Sequence, residues 1–146
     1  MPSEKQLFIN SVRQIRIQGN AIVPTAVLYQ AQKCFVGFDA FNNCNNASEL
    51  REDFKVEIGN DVPIRLANKN AGTGRSTLGI AKDFIDAVLN EALSNIALHG
   101  YNPPTRVLIA EPLSLLHNQS AHEQWLQNYR KSLRGILERD EFRRNR

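Results

Sequence analysis

Residues 76–98 constrain the chain more than any other stretch. Ile80, Ala81, Phe84, Ile85, Val88, Ala92 and Ile96 recur at helical spacing, which puts them on one stripe of an α-helix. Ser76 precedes them, where a hydroxyl can accept from the free amides of a first turn. Gly100 follows the last of them, and Pro103-Pro104 cannot continue a helix. A helix this long needs a broad apolar partner surface, and the rest of the chain offers strands. Residues 106–110, Arg-Val-Leu-Ile-Ala, read as a buried strand ended by Glu111-Pro112. Ser120 then caps a second helix whose buried stripe is Trp125, Leu126, Tyr129, Leu133, Ile136 and Leu137.

The N-terminal third is strand-like. Residues 13–18 alternate, with Ile15 and Ile17 on one face, and Gly19-Asn20 signals a turn. Residues 21–29 carry Ile22, Val23, Val27, Leu28 and Tyr29. Pro24 lacks a ladder donor, so that strand begins at an edge or a bulge. Ala31-Gln32 turns the chain back into residues 33–38, giving an antiparallel meander. Residues 39–52 are polar and asparagine-rich and read as a loop with one helical turn. Residues 54–58 form a short alternating segment, 63–66 a brief strand and 68–73 a loop. The organisation is one unit over 1–146, strand-rich over 6–66 and helix–strand–helix over 76–142. Its fold class is α/β: a mixed, partly antiparallel sheet packed with two main helices.

The composition, 42% hydrophobic and 23% charged in 146 residues, is that of a chain that can bury a core. A net charge of +3 is far from the dense basic stripe of a nucleic-acid binder. Arg139, Arg143, Arg144 and Arg146 read as a solvated helix end. Cys34 lies in an apolar run and reads as a small buried hydrophobe; Cys44, among asparagines, reads as an exposed loop thiol. Neither belongs to a disulfide framework or a metal cluster. No apolar run reaches the roughly 20 residues that span a bilayer, and the polar start Met1-Pro2-Ser3-Glu4-Lys5 does not read as a signal peptide. A cytoplasmic protein is expected.

Gly72-Thr73-Gly74-Arg75-Ser76-Thr77 resembles a phosphate loop only in outline. Such a loop needs G-x-x-x-x-G-K-[ST], and Lys69 and Arg75 occupy two of its defining positions. His99 sits at a helix C-terminus, where it favours the dipole. His117 and His122 lack metal-ligand spacing, and no serine sits in G-x-S-x-G. Glu49, Glu52, Asp53 and Glu57 flank Lys55 in what reads, by pattern alone, as a mixed-charge exposed loop.

Several segments, in order, resemble lobe I of the seventy-kilodalton heat-shock chaperones of the actin-like ATPase superfamily. Residues 19–29, Gly-Asn-Ala-Ile-Val-Pro-Thr-Ala-Val-Leu-Tyr, resemble the stretch where a glycine turn leads into a proline-containing strand. Residues 35–40, Phe-Val-Gly-Phe-Asp-Ala, are similar to the following V-G-x-x-A strand. Residues 54–59, Phe-Lys-Val-Glu-Ile-Gly, resemble the lysine-bearing segment ending in isoleucine-glycine, and the interval from Gly37 to Lys55 is close to the family's. The long helix, the strand 106–112 and the helix 125–137 resemble the elements that follow. The match runs from about Arg13 to Phe142. It implies the outer part of lobe I, with Lys55 as the catalytic lysine whose charge stabilises the transferring phosphoryl group. It also implies Pro112 as the regulatory proline of interdomain signalling, although residues 113–121 lack the basic relay residues that follow it in the family.

The D-x-G-T phosphate loop does not occur in residues 1–18, and the second phosphate loop and adenosine pocket are not found. The expectation is therefore a truncated ATPase-domain fragment with no cofactor of its own, ATP and Mg being expected for its parent. Alone it is expected not to turn over ATP. Its partners would be the remainder of the ATPase domain and client or co-chaperone proteins. No membrane or nucleic acid is expected, and an exposed apolar edge would favour self-association. The rival reading is a small self-contained protein- or RNA-binding α/β module with closed edges, binding through Arg143, Arg144 and Arg146. A third is a nucleotide enzyme built on Gly72 and Gly74.

Overall fold

The computed structural model describes residues 14–30, 33–52, 54–58, 75–102, 104 and 119–137. The expected strands 63–66 and 106–110, the glycine loop, Pro112 and the C-terminal arginines lie outside these residues. No helix among the described residues is long and apolar enough to cross a membrane.

Val27, Leu28 and Tyr29 favour extended backbone, and they form the central strand, β1 (Val27–Gln30). It pairs antiparallel with β2 (Lys33–Val36) in the register Val27↔Val36 to Gln30↔Lys33. On its other side lies the two-residue β3 (Leu50–Arg51), also antiparallel, giving the order β2-β1-β3. The expected strand over 21–29 is thus confined to its second half. Ala26 N–H donates to the Pro24 carbonyl, a tight turn that delays pairing, and Ile22 is 79% exposed. Among the described residues the alternating segment 13–18 yields one bridge, Ile17↔Asn20, around Gln18 and Gly19. Ile17 is buried there and Ile15 exposed, so the two do not share a face as expected.

Both faces of the sheet are covered. Val27, Tyr29 and Val36 point into the larger cluster, with Phe54, Ile58, Ile80, Ala81 and Trp125. Ala26 and Leu28 point the other way and pack with Ala40 against Phe35, Cys44 and Leu50. Ala40 belongs to a short helix, α1 (Phe38–Asn42), which supplies the helical turn expected in the asparagine-rich stretch; a 3-10 turn follows at Ala47–Glu49. This arrangement reverses the expectation for the cysteines. Cys34 is exposed on the edge strand and Cys44 is half-buried against the smaller cluster. Cys34 shares the side of Tyr29 and Val36 by strand parity yet stays exposed on the edge strand, so tertiary cover decides the burial of both cysteines, and the polarity of sequence neighbours does not.

The N-terminus of α1 has no cap of its own. Gln18 provides one from 20 residues away. Its Oε1 accepts from Phe38 N–H at 2.9 Å, and its Nε2 donates to the Val36 carbonyl at 3.0 Å. Gln18 is itself held, because its N–H donates to Glu91 Oε1 at 2.6 Å. Asn95 Nδ2 adds a bond to the Arg16 carbonyl at 3.0 Å. These contacts strap the N-terminal turn to the long helix. Gly37 closes the knot with a positive φ of 61°.

Residues 54–58 form a helical turn, α2 (Phe54–Glu57), where the short alternation suggested extended chain. Phe54 and Ile58 stand four apart and are both buried, a spacing that fits one helical turn. The long helix, α3 (Thr77–Leu98), matches its expected span. Ser76 Oγ accepts from Gly79 N–H at 3.1 Å, and the helix ends with Tyr101 N–H donating to Ile96 and Gly100 N–H to Ala97, the Schellman pattern. Only its first turns are fully buried, at Thr77, Ile80 and Ala81; Phe84, Ile85, Val88, Ala92 and Ile96 are half-buried. The last described element is α4 (Gln119–Leu137), and Ser120 lies inside its first turn. Trp125 and Leu133 are buried and Tyr129 half-buried, as the stripe required.

Candidate functional site

Lys55, the sequence candidate for catalysis, lies on α2. Its side chain is exposed, and among the described residues no hydrogen bond or ion pair engages its ammonium. Two acids stand two residues from Lys55 in sequence: Asp53 lies outside the described residues, and Glu57 pairs with Arg51 at 2.9 Å. The lysine's backbone is firmly held. Trp125 Nε1 donates to the Lys55 carbonyl at 2.8 Å and Asn128 Nδ2 to the Ile58 carbonyl at 2.9 Å. Both donors come from α4, three residues apart, hence on one face of that helix. A four-residue helix leaves its carbonyls without internal partners, and α4 supplies two. The result is a solvent-facing cation on an anchored turn.

Asn128 is fully buried and sequence reasoning missed it. Its position three residues after Trp125 on an otherwise apolar face was the available signal, because a polar residue there must find a partner. Ser132, also buried, donates to the Tyr129 carbonyl at 2.7 Å. Trp125 stacks on Tyr129 with ring centroids 4.9 Å apart.

A second polar group, not expected from the sequence, sits where the sheet meets the start of α3. Tyr29 donates to Asp83 Oδ2 at 2.7 Å, and Arg75 pairs with the same oxygen at 2.9 Å. The Arg75 guanidinium lies 5.8 Å from the Tyr29 ring centroid. Burial, then the bond to Asp83, raises the Tyr29 pKa far above the ordinary tyrosine range. Cys34 is exposed as a residue, but its thiol stands opposite Tyr29 in the hairpin; partial desolvation there, then the charge of Asp83, push it up to about 11. At neutral pH both groups keep their protons, and the thiol is a poor nucleophile. This group holds the sheet to α3 and carries no activated nucleophile.

A cleft of about 750 Å³ opens at the far end of α3, lined by Ile15, Arg16, Glu91, Asn95, His99 and Tyr101 among others. Several of its polar groups serve the strap described above, and His99 Nδ1 lies 2.7 Å from the Asn95 carbonyl. Leu98 (82% exposed) and Tyr101 (46%) mark the same end as apolar. Among the described residues no three of His, Cys, Asp and Glu stand where they could hold a metal ion. Pro112, Gly72, Gly74 and His117 lie outside the described residues.

No protein family, curated protein or solved structure matches the chain.

Proposed function

We propose that the chain forms the outer part of lobe I of an ATPase of the heat-shock chaperone, actin-like type, and contributes Lys55 to the nucleotide cleft of that larger protein. The observation that carries the reading is the state of Lys55. It is exposed, without a carboxylate partner among the described residues, and mounted on a turn anchored by Trp125 and Asn128. A lysine that stabilises phosphoryl charge must be uncommitted and well placed, since positioning and electrostatics supply nearly all the catalysis of phosphoryl transfer. The order of the other described elements supports it: a glycine turn, a hairpin, the lysine turn and the long helix follow one another as the resemblance implies, whereas residues 38–40, expected in the V-G-x-x-A strand, lie in helix α1. ATP and Mg belong to the parent, the setting is cytoplasmic, and the partners are the remainder of the ATPase domain and its clients.

The test is calorimetric titration of Mg–ATP against this chain and against a version extended at both ends along its reading frame. The expected result is binding by the extended version only, with Lys55→Ala lowering turnover and leaving affinity intact. Tight binding by the short chain, or unchanged turnover in Lys55→Ala, overturns the reading.

A further inference from the structure

The turn that carries Lys55 packs on α3 through Phe54, whose ring centroid lies 5.6 Å from that of Phe84, and its two polar ties are unequal. On the sheet side, the tie is the Arg51–Glu57 ion pair, whose side chains are 22% and 37% exposed; a pair this open to water contributes little. On the other side, the donors are Trp125, 4% exposed, and Asn128, fully buried. Hydrogen bonds from buried donors to carbonyls cannot be exchanged for water without opening the core. Phe54 and Ile58, on either flank of the turn, pack into the same cluster as Trp125. A four-residue helix has almost no stability of its own, so its placement follows its neighbours: α3 takes the Phe54 ring, and α4 fixes the backbone through its two hydrogen bonds.

We infer that α4 sets the position of Lys55, with Trp125 and Asn128 acting as positioning residues for it; the catalytic meaning of that position rests on the proposed function. The indole N–H and the carboxamide N–H₂ fix two carbonyls of the turn. A shift of α4 along its axis is therefore transmitted to the lysine backbone, while the hairpin stays in register through its own ladder. The same two side chains make α4 the element through which a bound partner could move the lysine.

The test uses the full chain without nucleotide, so its outcome is independent of the calorimetry that tests the ATPase reading. Trp125→Phe keeps an aromatic ring against Tyr129 and removes the donor together with one ring of the indole, so a general loosening of the core is read separately from α3. Amide exchange over residues 54–58 is expected to become about fivefold faster, the change in opening equilibrium for loss of one hydrogen bond. Exchange over residues 80–96 of α3 should change by less than about twofold. In protein carrying ¹³C-methylated lysines, the Lys55 signal, assigned by its loss in Lys55→Arg, should move. The Lys82 signal on α3 should not. A uniform acceleration through α3, or an unmoved Lys55 signal, overturns the inference. If Trp125→Phe does not fold, Asn128→Ala is read by the same two measurements, with the same criteria.

Discussion

Gly37→Ala tests the knot that joins the N-terminal turn, the hairpin and α1. Gly37 is buried with φ 61° and ψ −134°. An added Cβ would stand 2.8 Å from Val23 Cγ1 and 3.0 Å from Gln18 Oε1. This backbone conformation, outside the left-handed α region, costs an L-residue about 1–3 kcal/mol. The contact with Val23 cannot be relieved by a flexible chain end, and forced overpacking of this kind costs about 1–3 kcal/mol. Moving Gln18 aside would sacrifice its bond to Phe38 N–H. The expected destabilisation is therefore about 2–6 kcal/mol, which at a urea slope of about 2 kcal/mol/M lowers the midpoint by roughly 1–3 M. Gly19→Ala is the control: its φ is 75° and nothing lies within 4 Å of the added carbon, so only the conformational part, about 1–2 kcal/mol, should appear. Adding Val23→Ala to Gly37→Ala should recover part of the excess, measured as a coupling in a double-mutant cycle. The reasoning is refuted if the two glycine variants agree within about 0.5 kcal/mol, or if Val23→Ala recovers nothing beyond its own effect.

Three further outcomes are expected. Tyr29 is protonated in both states below about pH 10. Its contribution is complete there and is lost as pH rises, because the unfolded phenol ionises while the folded one holds its proton; in a Cys34→Ser background, Tyr29→Phe should flatten the alkaline fall of the urea midpoint. Alkylation of Cys34, followed in Cys44→Ser, should show a pH midpoint near 11, lowered by Asp83→Asn; a wild-type midpoint near that of an ordinary thiol refutes the assignment. Ser76→Ala removes the hydroxyl that accepts from Gly79 N–H and should cost about 1 kcal/mol in the same urea assay, with Ser76→Asp retaining most of the stability.

The parts of the fold governed by local rules were legible in the sequence. α3 was found to within a residue because a cap, a long period and a C-terminal glycine agree. The hairpin was found because β-branched and aromatic residues flank a turn, but its length was not, because Ile22 and Ile15 look like strand residues and lie exposed. Residues 54–58 are too few for periodicity to separate helix from strand: Phe54 and Ile58 share a face in a helical turn, and with Val56 between them they also alternate. Among the described residues, the expected mixed sheet with two main helices is a three-stranded antiparallel sheet with α3 and α4. Lys55 was named from resemblance, and its exposure could be read from the charges around it. What holds it could not, since Trp125 and Asn128 meet their carbonyls across 70 residues. Gln18 likewise caps a helix that begins 20 residues later, a role without a local signature.

The alternation along β1 has a consequence for how the chain finds its structure. Val27 and Tyr29 serve one layer of helices and Leu28, with Ala26, serves the other. A slip of one residue would exchange the two sets. It would press the Tyr29 ring against the small Ala40 and leave Asp83 facing leucine. Neither layer could then close, whichever assembled first. Strand parity thus works as a checksum read independently from both sides, and a mispaired hairpin would be rejected by α1 as well as by α3.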